Sequence, residues 1–203
     1  MLASRSKAFV LGMAVVLAGY VCASAANPFL AAPDDRAVSA KFSGAEWGDE
    51  IESDEAPLSA TVVTRRIAEM KWGAVFEVRF EQIRSRAKPP REIKPVFFVA
   101  TDERIYLLNE TDNLEAAQRL AQLETPPPFE KDSVYGISAG TFTHLDPPWE
   151  TKISVKGDTC TYSATHNSGH FTKVVWKRGR GLMEYSTGSG ARADGFRLTR
   201  AAR

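Results

Sequence analysis

Histidine and cysteine side chains, which can bind transition metals or act as nucleophiles, crowd into one stretch near the end of this chain. His166 and His170 flank the tripeptide Asn-Ser-Gly, in which Gly169 can take the left-handed conformation that closes a three-residue hairpin loop. Such a loop would place the two imidazoles side by side, as zinc or copper ligands are placed. A third ligand is not near in sequence, because Cys160 lies six residues up the same strand, about 20 Å away. The sequence therefore predicts no metal or other cofactor, and His166 with His170 is the one candidate pair for metal binding.

Nucleophilic catalysis finds less support. Asp158, Cys160 and His166 are the residue types of a thiol enzyme, but strand alternation buries Cys160 under Trp176, and a buried thiol without a basic neighbour stays protonated. The sequence has no Gly-x-Ser-x-Gly elbow, and its glycine-rich stretches lack the strand-glycine-helix context of a phosphate loop. Catalytic residues stay unknown, and the sequence favours a protein without catalytic activity.

A basic cluster, Lys177, Arg178 and Arg180, surrounds a second turn, in which Gly179 occupies the first central position. These three side chains are the predicted binding residues, because an exposed basic tip could meet an anionic polymer of the cell envelope. Ordinary solvated surface charge is the alternative, since salt screens the field of so small a cluster.

The strands that position these residues follow from the two turns. The first turn opposes Cys160 to Trp176, and the second opposes Trp176 to Met183 and Val174 to Tyr185. Both registers predict a meander over residues 159–199 with one buried face. That face comprises Cys160, Tyr162, Val174, Trp176, Met183 and Tyr185.

Upstream of the meander the chain alternates between strand patterns and turn residues. Further strands are predicted near residues 61–69, 74–82, 96–100, 105–108, 134–137 and 151–155. Prolines make residues 84–95 a loop, and a capping box followed by helical spacing predicts one short helix over about residues 112–124, covering an edge or mouth of the sheet. The expected fold class is mainly β, an antiparallel sandwich or barrel with a C-terminal meander.

The N-terminus predicts export from the cytoplasm. Arg5 and Lys7 precede an apolar run, and small residues up to Ala25 suit a signal peptidase, so residues 1–25 are predicted to be a signal peptide. The mature protein would be periplasmic or secreted and would not span a membrane; lipid anchoring through Cys22 is the alternative. Residues 26–58 are predicted to be an acidic, irregular leader, and residues 59–203 a single β-rich domain.

Charge and cysteine content narrow the function further. The chain has 26 Lys and Arg against 25 Asp and Glu, and loss of Arg5 and Lys7 with the signal leaves 24 against 25. A net charge near zero argues against a nucleic-acid partner. Cleavage also removes Cys22, so Cys160 would have no partner for an intramolecular disulfide.

The stretch from Trp176 to Arg200, WKRGRGLMEYSTGSGARADGFRLTR, resembles the C-terminus of uncharacterised secreted bacterial β-rich proteins with the motif WxxGxGLxxYxxGxGAxxDG. Phe97–Glu110 is similar to a strand-turn-strand in such proteins, whereas Ser189 stands where they often have an aromatic residue. The resemblance implies a secreted or envelope β domain and no known activity. The sequence thus predicts a non-catalytic binding or interaction protein with an unknown envelope or extracellular ligand or protein partner. The alternatives are an inhibitor of a secreted or host hydrolase that acts through an exposed loop, and an unrecognised hydrolase or metal enzyme.

Overall fold

The computed structural model describes residues 29, 37–101, 104–108, 113–125, 134–138 and 149–202. The predicted signal peptide, with Cys22, lies outside these residues. The described part contains eleven strands, one α-helix and one 3₁₀ turn. These elements are β1 (Val38–Gly48), β2 (Ala56–Met70), β3 (Gly73–Arg84), β4 (Val96–Ala100), β5 (Arg104–Leu108), α1 (Asn113–Ala121), β6 (Val134–Ser138), β7 (Trp149–Lys156), β8 (Thr159–His166), β9 (Phe171–Lys177), β10 (Gly181–Ser189), the 3₁₀ turn (Gly190–Arg192) and β11 (Asp194–Arg200).

All eleven strands belong to one antiparallel sheet in the order β6-β5-β4-β3-β2-β1-β11-β10-β9-β8-β7. Two meanders are therefore joined where the first strand pairs with the last. The sheet curls into a half-barrel, because rings on distant strands touch across its inner face: Phe98 meets Trp176 with ring centroids 5.4 Å apart, and Phe80 meets Tyr185 at 5.5 Å. The mainly β, antiparallel, barrel-like or sandwich-like fold class is confirmed, in the form of one curled sheet.

The inner, concave face carries the main core. Alternate residues of nine strands supply it, among them Phe42, Leu58, Val62, Phe76, Phe98, Tyr162, Trp176 and Leu198. Four of the predicted core residues of the meander are fully buried there: Cys160, Tyr162, Val174 and Trp176.

The register of the first predicted hairpin is confirmed, with Cys160 opposite Trp176. The second turn differs from the prediction. Its loop has one residue more, so that Trp176 pairs with Leu182 and not with Met183, and a bulge between Leu182 and Glu184 then restores the predicted pairing of Tyr185 with Val174.

The irregular leader predicted over residues 26–58 is wrong for residues 38–48, which form β1 between β2 and β11. The inward positions of this strand are Val38, Ala40, Phe42, Gly44 and Glu46, so the hydrophobic alternation ends at Phe42. Gly44 is required by a close approach, because a Cβ there would lie 1.9 Å from the carbonyl oxygen of Arg197. The second half of β1, with a glycine and a glutamate inward, therefore lacks the sequence pattern of a strand.

Helix α1 falls within the predicted range but lies elsewhere than expected. It packs against the outer face of the sheet, where Leu120 and Ala121 contact a second apolar cluster of Met70, Val75, Phe97 and Val99. It therefore does not cover the mouth of the curled sheet. No helix in the described ranges is long and apolar enough to cross a membrane.

Candidate functional site

The two ends of the curled sheet carry different elements. The loop between β3 and β4 folds over one end, where Ala87 and Ile93 are buried, and Ile93 joins the inner core. The opposite end carries the β9–β10 turn with the basic cluster. Strand β1 runs from this second end to the end that the β3–β4 loop covers. Its first residue, Val38, pairs with Thr64 of β2, and Glu46 near its close pairs with Ala56 at the start of β2.

Glu46 fixes the loop at the covered end. Its side chain is 0 % exposed, and its carboxylate accepts hydrogen bonds from Ser85 Oγ at 2.9 Å, from the backbone N–H groups of Arg86 and Ala87, and from Arg91 Nε at 3.2 Å. A buried carboxylate is tolerated only with such a set of donors. The set is complete enough that we assign Glu46 a structural role.

Arg91 extends this network to the surface. Its Nη2 donates to the carbonyl oxygen of Trp47 at 3.1 Å and to Asp194 Oδ1 at 2.7 Å. Burial lowers the pKa of the Arg91 guanidinium, but the hydrogen bonds and charges of Asp194 and Glu46 outweigh that effect and raise it. The hydrogen bond from Arg91 lowers the pKa of Asp194. The charges of Glu46, Arg91 and Asp194 therefore stabilise one another and hold the β3–β4 loop against the sheet.

The end that carries the β9–β10 turn contains a recess in the inner face. It holds ≈ 370 Å³ of empty space, part of it open to solvent, and its enclosed part has room for about one water molecule. Its apolar wall is formed by residues of β1, β2, β3, β9 and β10, including Val38, Ala40, Val62, Val78, Trp176 and Leu182.

Two arginines stand at the rim of this recess. Arg180 lies in the β9–β10 turn, and Arg200 lies on β11, where it pairs with Phe42. Arg200 Nη1 donates a hydrogen bond to the carbonyl oxygen of Arg180. None of the described residues that line the recess is acidic. The recess is therefore lined mainly by apolar side chains together with these two arginines.

The structure brings the three predicted binding residues together at this end and gives them different neighbours. Lys177 Nζ lies 3.1 Å from Asp158 Oδ2, and this hydrogen bond lowers the pKa of Asp158. The guanidinium of Arg178 lies 4.8 Å from the ring centroid of Phe29, a cation–π contact. Arg180 faces the recess. Ligand binding by these residues stays a prediction.

The histidine pair sits at the other end, in the β8–β9 turn. The ring centroids of His166 and His170 are 6.1 Å apart, as the hairpin register predicts. The hydroxyl oxygen of Ser168 lies between them, 2.5 Å from Nδ1 of His166 and 2.6 Å from Nδ1 of His170. Among the residues that the structure describes, no group of three His, Cys, Asp or Glu side chains could hold a metal ion.

Cys160 is a core residue. Burial raises the pKa of its thiol to about 11, so the thiolate is scarce at neutral pH. Its side chain is wholly buried under the inner face, as the alternation predicts. This position does not support the thiol-enzyme hypothesis.

A row of residues on the outer face was not predicted. Trp47, Gly195, Gly188 and Phe171 lie directly opposite one another on four neighbouring strands, and the two rings stack over the glycines with centroids 6.3 Å apart and planes at 12°. A Cβ at Gly188 would lie 2.6 Å from the Phe171 ring. Gly188 is therefore a strand residue that makes room for this ring.

Sequence reasoning missed the recess because much of its wall comes from the segment assigned to the leader. The spacing of Val38, Ala40 and Phe42 was the available signal, since a period of two places all three on one face. Comparisons with family models, curated proteins and solved structures each found no match. The resemblance to secreted β-rich proteins therefore stays a prediction.

Proposed function

We propose that this protein is a non-catalytic binding protein that takes a small apolar ligand into the recess at the end of its curled sheet that carries the β9–β10 turn. One observation carries the proposal: side chains from five strands converge there to form an apolar wall that opens to solvent. Concave apolar pockets with a few polar groups are the usual sites of small-molecule binding. Action outside the cytoplasm is part of the proposal and rests on the predicted signal peptide.

The two alternatives have less support. An inhibitor would need a protruding loop with an exposed anchor, but residues 187–194 belong to β10, the 3₁₀ turn and β11. Within that segment the guanidinium of Arg192 packs over Trp47, 5.4 Å from the ring centroid. An enzyme would need polar groups that converge in a cleft. Glu46 and Arg91 do converge, but their hydrogen bonds hold the β3–β4 loop.

The size of the recess limits the ligand. Room for about one water molecule accommodates neither a ring system nor a long chain without movement of the wall, so we propose a short, unbranched alkyl chain that enters only in part. Each buried methylene contributes about 0.8 kcal/mol, roughly a fourfold gain in affinity. In a series of alkyl ligands the affinity should rise by this factor per carbon and level off where the chain leaves the recess.

Titration calorimetry with ethanol, 1-butanol, 1-hexanol and 1-octanol tests the proposal. An Ala40→Phe substitution places a ring at the wall of the recess and should weaken octanol binding at least tenfold. Ser39→Phe is the matched control, because Ser39 is exposed on the opposite face of the same strand. Circular dichroism establishes that both variants fold. Equal octanol affinity in both variants, or no binding of any alcohol by the wild type, would contradict the proposal.

A further inference from the structure

Phe29 enters the inner core at the end of the sheet that carries the β9–β10 turn, although it belongs to none of the strands. Its side chain is 1 % exposed and packs among the residues of the inner core. The guanidinium of Arg178 lies over its ring, 4.8 Å from the ring centroid. Burial of the ring and the cation over its face attach this part of the chain firmly. The chain that precedes Phe29 therefore joins the folded domain at this end.

This attachment fixes which end of the domain a membrane-bound precursor would present to the bilayer. Ala25, the last residue of the predicted signal peptide, is four positions before Phe29, and Cys22 is seven positions before it. At about 3.5 Å per residue, an extended chain covers at most about 14 Å over four positions. The signal peptide before cleavage, or a lipid on Cys22, would hold the β9–β10 end close to the membrane surface. Cleavage would leave the positively charged α-amino group of Ala26 near the same end.

The same end of the domain is basic. Lys156, the last residue of β7, and Lys177, the last residue of β9, both pair with the first residue of β8 and so lie on either side of it. The β9–β10 turn adds Arg178 and Arg180. Asp158, in the β7–β8 turn, pairs with Lys177. These two turns, with the lysine before each, therefore carry four cations against one acid.

The opposite end of the domain carries the other sign of charge in the connection between β1 and β2. Two of the acids in this connection form ion pairs with basic residues, Glu52 with Lys88 and Glu55 with Arg192. The connection has five exposed acids and no basic residue: Asp49, Glu50, Glu52, Asp54 and Glu55. A negatively charged surface would therefore attract the β9–β10 end and repel this connection.

From these observations we infer that the β9–β10 end docks on the surface of a membrane that contains anionic phospholipids. The inference goes beyond the proposed function and does not depend on it. Each Lys or Arg close to such a surface contributes roughly a fivefold gain in affinity. Attachment of the preceding chain to the membrane raises the effective concentration of lipid headgroups at this end, so a few cations suffice. The acidic connection between β1 and β2 then points away from the membrane.

Sedimentation with vesicles tests the docking, with protein purified after export from a bacterial host and its N-terminus identified by mass spectrometry. The protein should bind vesicles of phosphatidylcholine and phosphatidylglycerol mixed two to one, and should not bind phosphatidylcholine alone. High salt should release it. Arg180→Gln and Lys156→Gln should each weaken binding about fivefold. Arg86→Gln is the matched control and should have little effect, because Arg86 is exposed in the β3–β4 loop at the opposite end.

A fluorescent probe tests the orientation on the vesicle. An environment-sensitive NBD dye is attached to Gly179→Cys, to Asn27→Cys or to Glu52→Cys, and the native Cys160 is buried and should not react. Gly179 is suitable because a Cβ there meets nothing within 4 Å. On anionic vesicles the emission should shift to the blue at positions 27 and 179 and stay unchanged at position 52. Circular dichroism establishes that each variant is folded.

Several results would overturn the inference. These are equal binding to both kinds of vesicle, equal effects of Arg180→Gln and Arg86→Gln, and a blue shift at position 52 as large as at position 179. Binding of dextran sulfate without binding of anionic vesicles would also overturn it, and would assign the basic end to a soluble anionic polymer. The alcohol titrations are independent of these results, so a failure of the docking leaves the proposed function standing.

Discussion

Replacement of Glu46 by glutamine should lower the free energy of unfolding more than a glutamate-to-glutamine substitution at any exposed position that the structure describes. The carboxylate of Glu46 is 0 % exposed and accepts hydrogen bonds from Ser85, from the backbone N–H groups of Arg86 and Ala87, and from Arg91. Glu46→Gln keeps the size of the side chain but removes the negative charge opposite Arg91. It also replaces one carboxylate oxygen, which accepts hydrogen bonds, by an amide NH₂ group, which can only donate them.

The cost follows from these contacts. Removal of one partner of a buried ion pair costs about 3 to 5 kcal/mol. Arg91 keeps its contact with Asp194, and one accepting oxygen survives, so we expect about 3 kcal/mol, a large share of the roughly 5 to 15 kcal/mol that stabilises a domain. With a urea slope of about 2 kcal/mol/M, the midpoint of unfolding should fall by about 1.5 M.

Equilibrium urea unfolding, followed by tryptophan fluorescence, measures the shift. Glu52→Gln is the control, because Glu52 is 86 % exposed and pairs with Lys88 of the β3–β4 loop. The effect of this substitution on the free energy of unfolding should stay within about 0.5 kcal/mol. Hydrogen exchange should also accelerate at the amides of Arg86 and Ala87 in the Glu46 variant. If Glu46→Gln costs less than about 1 kcal/mol, or no more than Glu52→Gln, Glu46 does not clamp the loop.

Three further predictions concern other parts of the fold. A thiol reagent at pH 8 should label Cys160 only as the protein unfolds, because the side chain is buried and its pKa is about 11; rapid labelling of the native protein would contradict this. The hydrogen bond from Arg91 lowers the pKa of Asp194, so its contribution is present above about pH 4 and is lost as the pH falls through the lowered value. Asp194→Asn should therefore be less stable than the wild type at pH 6, by under about 1 kcal/mol because this side chain is 59 % exposed, and the difference should shrink as the pH falls below about 4, as thermal unfolding can measure. Gly195→Ala should lower the free energy of unfolding by about 3 kcal/mol or more, because its Cβ would lie 2.7 Å from a backbone oxygen. Gly179→Ala meets nothing within 4 Å and should cost only about 1 kcal/mol, because alanine is strained in the left-handed conformation. Equal urea midpoints for the two variants would refute the distinction.

Some of the candidate site was predictable because it depends on local geometry. The loop around Gly169 sets the distance between His166 and His170, and the next turn gathers Lys177, Arg178 and Arg180. Hairpin registers depend on a few residues at the turn, so the sequence carries them. The extra loop residue and the compensating bulge at Leu182 were not predicted, because two irregularities that cancel leave the alternation beyond them unchanged.

The pairing of β1 with β11 could not be predicted in the same way. It joins residues such as Phe42 and Arg200, which are far apart in the chain, and no turn connects them. Glu46 gave a misleading signal, since a glutamate at an inward position favours a solvated segment until its donors from the β3–β4 loop are known. The recess could not be predicted for the same reason, because its wall combines residues of β1 to β3 with residues of β9 and β10.

The sequence by itself determined the strand character of the chain outside β1, the register of the β8–β9 hairpin, the buried position of Cys160 and the grouping of charges at one turn. These depend on alternation and turn chemistry, which act over a few residues. Only the tertiary structure decided that the strands curl into one sheet, that the β3–β4 loop covers one end and that the Arg200 side chain reaches the carbonyl oxygen of Arg180 at the other. Such contacts are set by how distant strands close around a shared core, and the free energy that selects them belongs to the whole sheet.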